Sequence, residues 1–88
     1  MTNIKERLQS WSNAKYRIEV EGYLEKSWSD RLAGMQITHR KRADNSTITC
    51  LVGGVLDQSE LTGVLYGLAE LHLPILSVER INGSNGDN

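Results

Sequence analysis

The sequence predicts an α+β domain in which two helices pack on one side of an antiparallel sheet. Apolar residues recur at helical spacing over residues 61–72, which indicates an amphipathic helix. Residues 16–20 alternate between apolar and charged side chains, and two further β-rich stretches flank a polar turn at residues 43–46. The predicted order of elements is therefore β-α-β-β-α-β.

The most clearly marked element is the second helix. Asp57 with Glu60 three residues later is typical of a capped helix start, because both side chains can accept hydrogen bonds from unpaired backbone N–H groups. Pro74 cannot continue the helix and marks its end. Between them lies an apolar stripe that needs a sheet as cover. The stripe consists of Leu61, Val64, Leu65, Leu68, Leu71 and His72.

Four stretches are predicted as strands. Residues 16–20 form the first, residues 35–42 and 47–55 form a hairpin, and residues 75–81 form the last. We expect the spatial order 4-1-3-2, the split βαβ or ferredoxin-like plan. The rival is a meander of three strands followed by the helix and the last strand, since only about ten residues are available for a crossover that normally needs a dozen.

The remaining segments complete the predicted domain organisation. Ser27 is expected to cap a short first helix that Gly34 ends. Residues 15–81 form the single α+β domain, residues 1–14 are a helix or a mobile arm, and residues 82–88 are a disordered polar tail. The N-terminal helix would pack through Ile4, Leu8 and Trp11.

Composition limits the class of protein and its compartment. The 88 residues carry a formal net charge of -1, so no global field attracts nucleic acid or an acidic membrane. A single cysteine excludes an internal disulfide framework and favours a reducing compartment. The charged N-terminus differs from a signal peptide, and no apolar stretch is long enough to span a membrane. We expect a cytoplasmic protein without a membrane partner.

Three motifs carry a resemblance to a known group of proteins. They are W-S-D-R-L-A-G-M-Q-I-T-H from Trp28, D-Q-S-E-L-T-G-V-L from Asp57, and L-P-I-L-S-V ending at Val78. Together they resemble a family of small uncharacterised bacterial α+β proteins, over about residues 16–80. The resemblance implies a bacterial source and the predicted plan, and it implies no activity.

The basic segment that leads into the hairpin turn is a candidate nucleic-acid contact. Arg40, Lys41 and Arg42 could carry positive charge to a phosphate backbone. Charges of this kind also protect an edge strand from pairing with another chain, which we consider the better interpretation. No set of aromatic residues typical of RNA-binding sheets accompanies the segment.

Catalytic, metal and cofactor sites are not expected. His39, His72 and Cys50 are the soft ligands in the sequence, and none has a partner at ligand spacing. Cys50 is interpreted as a small buried apolar residue. The sequence shows no recognisable set of a nucleophile, a base and an orienting group. We therefore do not expect the protein to be an enzyme.

Two features favour self-association, most simply as a homodimer. Ile48, Cys50 and Val52 lie on the second side of a strand that is apolar on both sides, so that side needs the N-terminal helix or a second copy as cover. Gly63 and Gly67 lower helix stability unless another element approaches closely.

The leading hypothesis is a small cytoplasmic, non-enzymatic interaction or regulatory module that self-associates. Its protein partner beyond a second copy is unknown. One alternative is nucleic-acid binding through the basic hairpin, which is possible and not favoured. The other is a small-ligand domain with a pocket near Trp28, His39 and Tyr66.

Overall fold

A computed structural model describes residues 14–81 of the chain. The predicted N-terminal helix or arm, apart from Ala14, and the predicted tail lie outside the described residues. The described elements follow in chain order. They are β1 (Lys15–Glu21), a 3₁₀-helix (Lys26–Arg31), β2 (Gln36–Lys41), β3 (Thr47–Gly54), α1 (Gln58–Glu70) and β4 (Ile75–Arg80).

The four strands form one antiparallel sheet in the order β2-β3-β1-β4. This is the expected order 4-1-3-2 read from the opposite edge. β1 pairs with β3 and β4 and does not pair with β2, which excludes the meander. The described chain is thus a compact α+β fold with a four-stranded antiparallel sheet and one α-helix.

Strand register divides the side chains between two sides of the sheet. Ile18 lies opposite Leu51 of β3 and Val78 of β4, and paired residues of antiparallel strands share a side. We call this the helix side, because α1 packs there. Glu19 lies opposite Cys50 and Ser77, and we call that side the far side.

The core lies between α1 and the helix side. Val64 and Leu68 are the buried residues of α1, and they join Ile18 and Leu51 in one apolar cluster. The neighbouring leucines of the stripe are partly buried against the same cluster. Complete burial of a Leu or Val side chain is worth about 1.5–3 kcal/mol. The predicted amphipathic helix and its sheet cover are confirmed.

The start of α1 is capped as the sequence predicts. Asp57 accepts a hydrogen bond from the N–H of Glu60, with 2.9 Å between Oδ1 and N. The Glu60 carboxylate accepts from the N–H of Leu56 at 2.6 Å, one residue before the cap. Two backbone donors are therefore satisfied at a helix end that would otherwise leave them unpaired.

The end of α1 is a Schellman motif. His72 adopts a left-handed conformation with φ of 60° and donates from its N–H to the Ala69 carbonyl at 2.9 Å. The N–H of Leu73 donates to the Leu68 carbonyl at 3.2 Å. This conformation normally favours glycine. Here it turns the chain sharply enough for Pro74 to lead directly into β4.

The first crossover differs from the predicted α-helix, because it contains a 3₁₀-helix. Ser27 does not cap it; its hydroxyl donates to the Glu25 carboxylate at 3.4 Å. A 3₁₀-helix rises about 2.0 Å per residue against 1.5 Å for an α-helix, so a short crossover spans more distance in this form. As expected, Trp28 and Leu32 pack inward against the core cluster.

A buried hydroxyl fixes the beginning of this crossover. Thr49 of β3 is fully buried, and its Oγ1 donates to the Gly22 carbonyl at 2.6 Å. The same oxygen accepts from the Leu24 N–H at 3.0 Å. Gly22 has φ of 113°, a conformation that side chains rarely adopt. The crossover is therefore anchored to β3 at the point where it leaves β1.

Replacement of Leu68 by alanine tests the contact between α1 and the sheet. The side chain is fully buried, so we expect L68A to lower the free energy of unfolding by about 2–5 kcal/mol. Y66A is the matched control on the same helix, since Tyr66 is 66% exposed, and it should change stability by less than about 0.5 kcal/mol. Chemical denaturation measures both, and equal losses would contradict this packing.

Glycine at position 72 should stabilise the protein. The left-handed conformation of His72 strains a residue with a Cβ, so we expect H72G to raise the unfolding free energy by about 0.5–1 kcal/mol. A69G, inside the helix three residues earlier, should lower it by about 1 kcal/mol. Thermal unfolding of the two variants compares them, and a loss of stability in H72G would contradict the described helix end.

Candidate functional site

The β4 strand lies at one edge of the sheet and pairs only with β1 within the described residues. Every residue of the strand is exposed. Three of them are large and apolar: Ile75, Leu76 and Val78, with exposed fractions of 38%, 41% and 42%. We call these three side chains, with the outer backbone of the strand, the β4 edge. The β4 edge is thus an apolar patch on an edge strand, where charged residues are usual.

The β4 edge is exposed because the core is centred on the other strands. The apolar cluster takes residues from β1, β2, β3 and α1, and none from β4. On its other flank α1 approaches the 3₁₀ crossover, where a Cβ built on Gly67 would lie 3.4 Å from Leu32 Cδ2. The buried residues of α1 belong to this cluster, whereas the side chains of β4 remain outside it.

A groove continues the β4 edge toward the end of α1. Its volume is about 390 Å³. The lining is almost wholly apolar and comes from the last turn of α1, the Schellman turn and the first residue of β4. These residues are Ala69, His72, Leu73, Pro74 and Ile75. The groove and the β4 edge thus form one continuous surface on the helix side of the sheet.

The backbone of β4 presents hydrogen-bonding groups to this edge. The N–H of Ile81, directly after β4, donates to the carbonyl of Lys15 in β1 at 2.8 Å. Ile81 and Lys15 are therefore a hydrogen-bonded pair of the antiparallel ladder. Such pairs alternate along an antiparallel ladder, which makes Arg17–Glu79 another. Val78 lies between the bonded residues Ser77 and Glu79, so its own N–H and C=O point away from β1.

A bulge limits the regular part of β4. Glu19 pairs with Ser77 and Val20 pairs with Ile75, so Leu76 is an additional residue on the β4 side. From Ser77 to Arg80 the register with β1 is continuous. A strand that added itself to this edge would therefore find regular geometry only along the second half of β4.

The far side of the sheet has a different cover. Ile48, Cys50 and Val52 share this side, and Ile48 is only 3% exposed although it is outside the core cluster. Arg40 and Glu21 are its register partners on the two neighbouring strands. Their long side chains join ion pairs on this side, and such chains cover apolar surface with their aliphatic stems. Charged side chains of the neighbouring strands thus lie beside Ile48 on this side.

The basic segment is part of this ionic cover. Arg40 lies 3.3 Å from the Glu19 carboxylate, and Arg42 lies 3.2 Å from that of Glu21. Lys41 is exposed on the edge strand β2. Two of the three predicted nucleic-acid contacts therefore face carboxylates of β1, and a phosphate would have to compete with these carboxylates.

The three residues of the predicted pocket have separate neighbours. Trp28 is half-buried with the Arg31 guanidinium 5.2 Å from its ring centre. The His39 ring stacks on Tyr23 at 4.3 Å between centres, and its Nε2 lies 2.6 Å from the Leu24 carbonyl oxygen. Tyr66 is exposed on α1. None of these contacts joins Trp28, His39 and Tyr66 to one another.

The two helix glycines differ in their surroundings. Gly67 faces Leu32, as described above, and its lack of a side chain lets the crossover pack closely. A Cβ built on Gly63 would meet nothing within 4 Å. The sequence suggested that another element approaches both glycines closely. Among the described residues such a neighbour is found at Gly67 and not at Gly63.

The described residues also bear on two further roles, metal binding and membrane spanning. No group of three or more His, Cys, Asp or Glu side chains within residues 14–81 could hold a metal ion. Within the same residues, no helix combines the length and apolar character needed to cross a membrane. The one surface that the sequence analysis did not single out is the β4 edge. The signal was present, since the order 4-1-3-2 places an apolar strand at an edge.

Comparison with known proteins gives a family and no function. A family model described as a domain of unknown function, DUF8691, matches residues 15–79. No curated protein and no solved structure matches the chain.

Cys50 should react slowly with alkylating reagents. Partial burial raises the pKa of its thiol, and the Glu19 carboxylate raises it further. Because only the thiolate reacts, the midpoint of the rate against pH should lie above that of a free cysteine. As the single cysteine, Cys50 can be followed with iodoacetamide. E19Q should lower the midpoint, and a wild-type midpoint below that of free cysteine would contradict this environment.

Proposed function

We propose that this chain, which belongs to the DUF8691 family of domains of unknown function, is a non-enzymatic interaction module that self-associates. The observation that carries the proposal is the β4 edge. It combines partly exposed apolar side chains with backbone groups that face away from the sheet. This combination is what β-strand addition requires, because the backbone supplies affinity and alternate side chains supply specificity.

The contrast between the two sheet edges supports this proposal. Native proteins commonly protect edge strands with charged residues, because an open edge is a template for another strand. β2 has this protection, with a run of basic residues at its end. β4 has three large apolar residues and only Glu79 and Arg80 as charges. β4 therefore presents more exposed apolar side chains than β2, which is consistent with an edge that another strand uses.

The chemistry of the described polar residues supports a non-enzymatic role. A nucleophile needs a lowered pKa or an adjacent base, whereas the pKa of the Cys50 thiol is raised. The Cys50 thiol is therefore not activated as a nucleophile, and His39 Nε2 is engaged in a hydrogen bond with the backbone.

The finer fold assignment is part of the same proposal. We assign the chain to the ferredoxin-like plan, with its first helix reduced to the 3₁₀ crossover. Strand order and antiparallel pairing support this assignment. The resemblance of the sequence motifs supports a bacterial source, and the single cysteine supports a cytoplasmic location.

The groove at the end of α1 favours one second candidate, a small apolar ligand. Its volume is within the usual range of ligand sites, about 300–1,000 Å³, and its walls are apolar. Ligand pockets normally add a few converging polar groups that fix orientation. The groove lining offers His72 as its single polar side chain, which makes the ligand hypothesis weaker than strand addition.

Sedimentation velocity over a range from low to high micromolar concentration tests self-association. We expect the average mass to rise with concentration toward that of a dimer. The increase should persist at high salt, because the proposed surface is apolar and backbone-mediated. A mass that stays at the monomer value over the whole range would contradict the proposed self-association.

A further inference from the structure

We infer that β4 of one chain pairs with β4 of a second copy in antiparallel orientation, around a two-fold axis at Val78, to give a continuous eight-stranded sheet. This inference rests on the proposed self-association and names the surface that carries it. Two-fold pairing uses the same patch on both subunits and closes the assembly at a dimer.

The outward backbone of Val78 sets the position of the axis. Hydrogen-bonded pairs of β4 with β1 fall at alternate residues, so Val78 directs its N–H and C=O to the open edge. On the axis, Val78 of each copy would donate to and accept from Val78 of the other. The bulge at Leu76 leaves regular strand geometry around this position, from Ser77 to Arg80.

Charges are compatible with this register. With Val78 on the axis, Ser77 lies opposite Glu79 of the second copy, and Arg80 of the second copy reaches the bulge at Leu76. No two like charges are placed directly opposite each other. Such a placement would destabilise a strand pair. The second copy is therefore an electrostatically suitable occupant of the edge.

The apolar side chains are also brought together. Val78 lies on the helix side, opposite Ile18, and Ile75 lies on the same side, opposite Val20. Pairing around Val78 would place the Val78 side chains of both copies next to each other, with Ile75 of each copy farther along the same side. These side chains would continue at each end into the groove beside Pro74, so the apolar area now facing water would be shared between subunits.

The other edge of the sheet fits a second copy less well. Pairing through β2 would bring two copies of the basic segment, Arg40, Lys41 and Arg42, into one seam. Pairing through β4 brings one acidic and one basic residue from each copy, and the seam has no net charge. The contact through β4 is short, so we expect a weak dimer at the lower end of specific interfaces.

Charge substitutions at the axis test this geometry. V78K and V78E should each weaken dimerisation by at least about tenfold, because two like charges would meet at the axis. Val78 is 42% exposed, so the monomer should tolerate either residue. Y66K is the matched control, since it adds the same charge at an exposed site on α1 and should leave dimerisation unchanged. Circular dichroism and thermal unfolding verify that each variant is folded.

A mixture of V78K and V78E gives the decisive result. The opposite charges would then meet at the axis, so sedimentation velocity of the equimolar mixture should show a heterodimer that neither variant forms alone. If V78K does not fold, L76K replaces it, because Arg80 of the second copy reaches this position, so the new charge should also weaken the dimer.

The outcomes separate this inference from the proposed function. Dimerisation of V78K or L76K at the wild-type level would overturn pairing through β4, while self-association itself would stand. Failure of the V78K and V78E mixture to associate would overturn the axis at Val78. A wild-type protein that stays monomeric would overturn both proposals.

Discussion

The contact of a single α-helix with a four-stranded sheet determines the rest of this structure. An α-helix with its side chains is about 10–12 Å wide, and strands lie about 4.8 Å apart, so one helix covers about two strands. Val64 and Leu68 join α1 to a cluster that contains residues of β1 and β3, and Leu32 of the crossover belongs to the same cluster. No residue of β4 belongs to this cluster. The exposed apolar edge is thus a consequence of how far one helix can reach.

On the far side of the sheet, charged side chains of the neighbouring strands lie beside the apolar residues of β3. Ile48 is buried, although no helix among the described residues packs on that side. Arginine side chains of β2 reach across to glutamates of β1, and exposed ion pairs of this kind are individually worth only about 0–1 kcal/mol. The aliphatic stems of these side chains can also cover apolar surface on the far side. The far side is therefore ionic, and the helix side of β4 carries the exposed apolar surface.

Much of the fold could be predicted because its signals are local. Asp57 and the spacing of the leucines fix α1, and the alternation in residues 16–20 fixes β1. The 3₁₀ crossover could not be read in the same way, since Ser27 has the residue type of a cap and the distance to be crossed decides its conformation. The partners of Arg40 and Arg42 lie twenty-one residues earlier in the chain, so their neutralisation depends on strand register. The exposure of β4 likewise depends on tertiary structure, because it is determined by where α1 packs on the sheet.

Amide hydrogen exchange at Val78, measured at low and at high protein concentration, tests the central claim most directly. If α1 leaves β4 uncovered and a second copy pairs with it, the Val78 N–H should exchange rapidly in dilute protein and become protected as the dimer forms. The N–H of Glu79, which belongs to a bonded pair with Arg17 of β1, should be protected at both concentrations. An exchange rate at Val78 that stays the same while the protein dimerises would contradict the account.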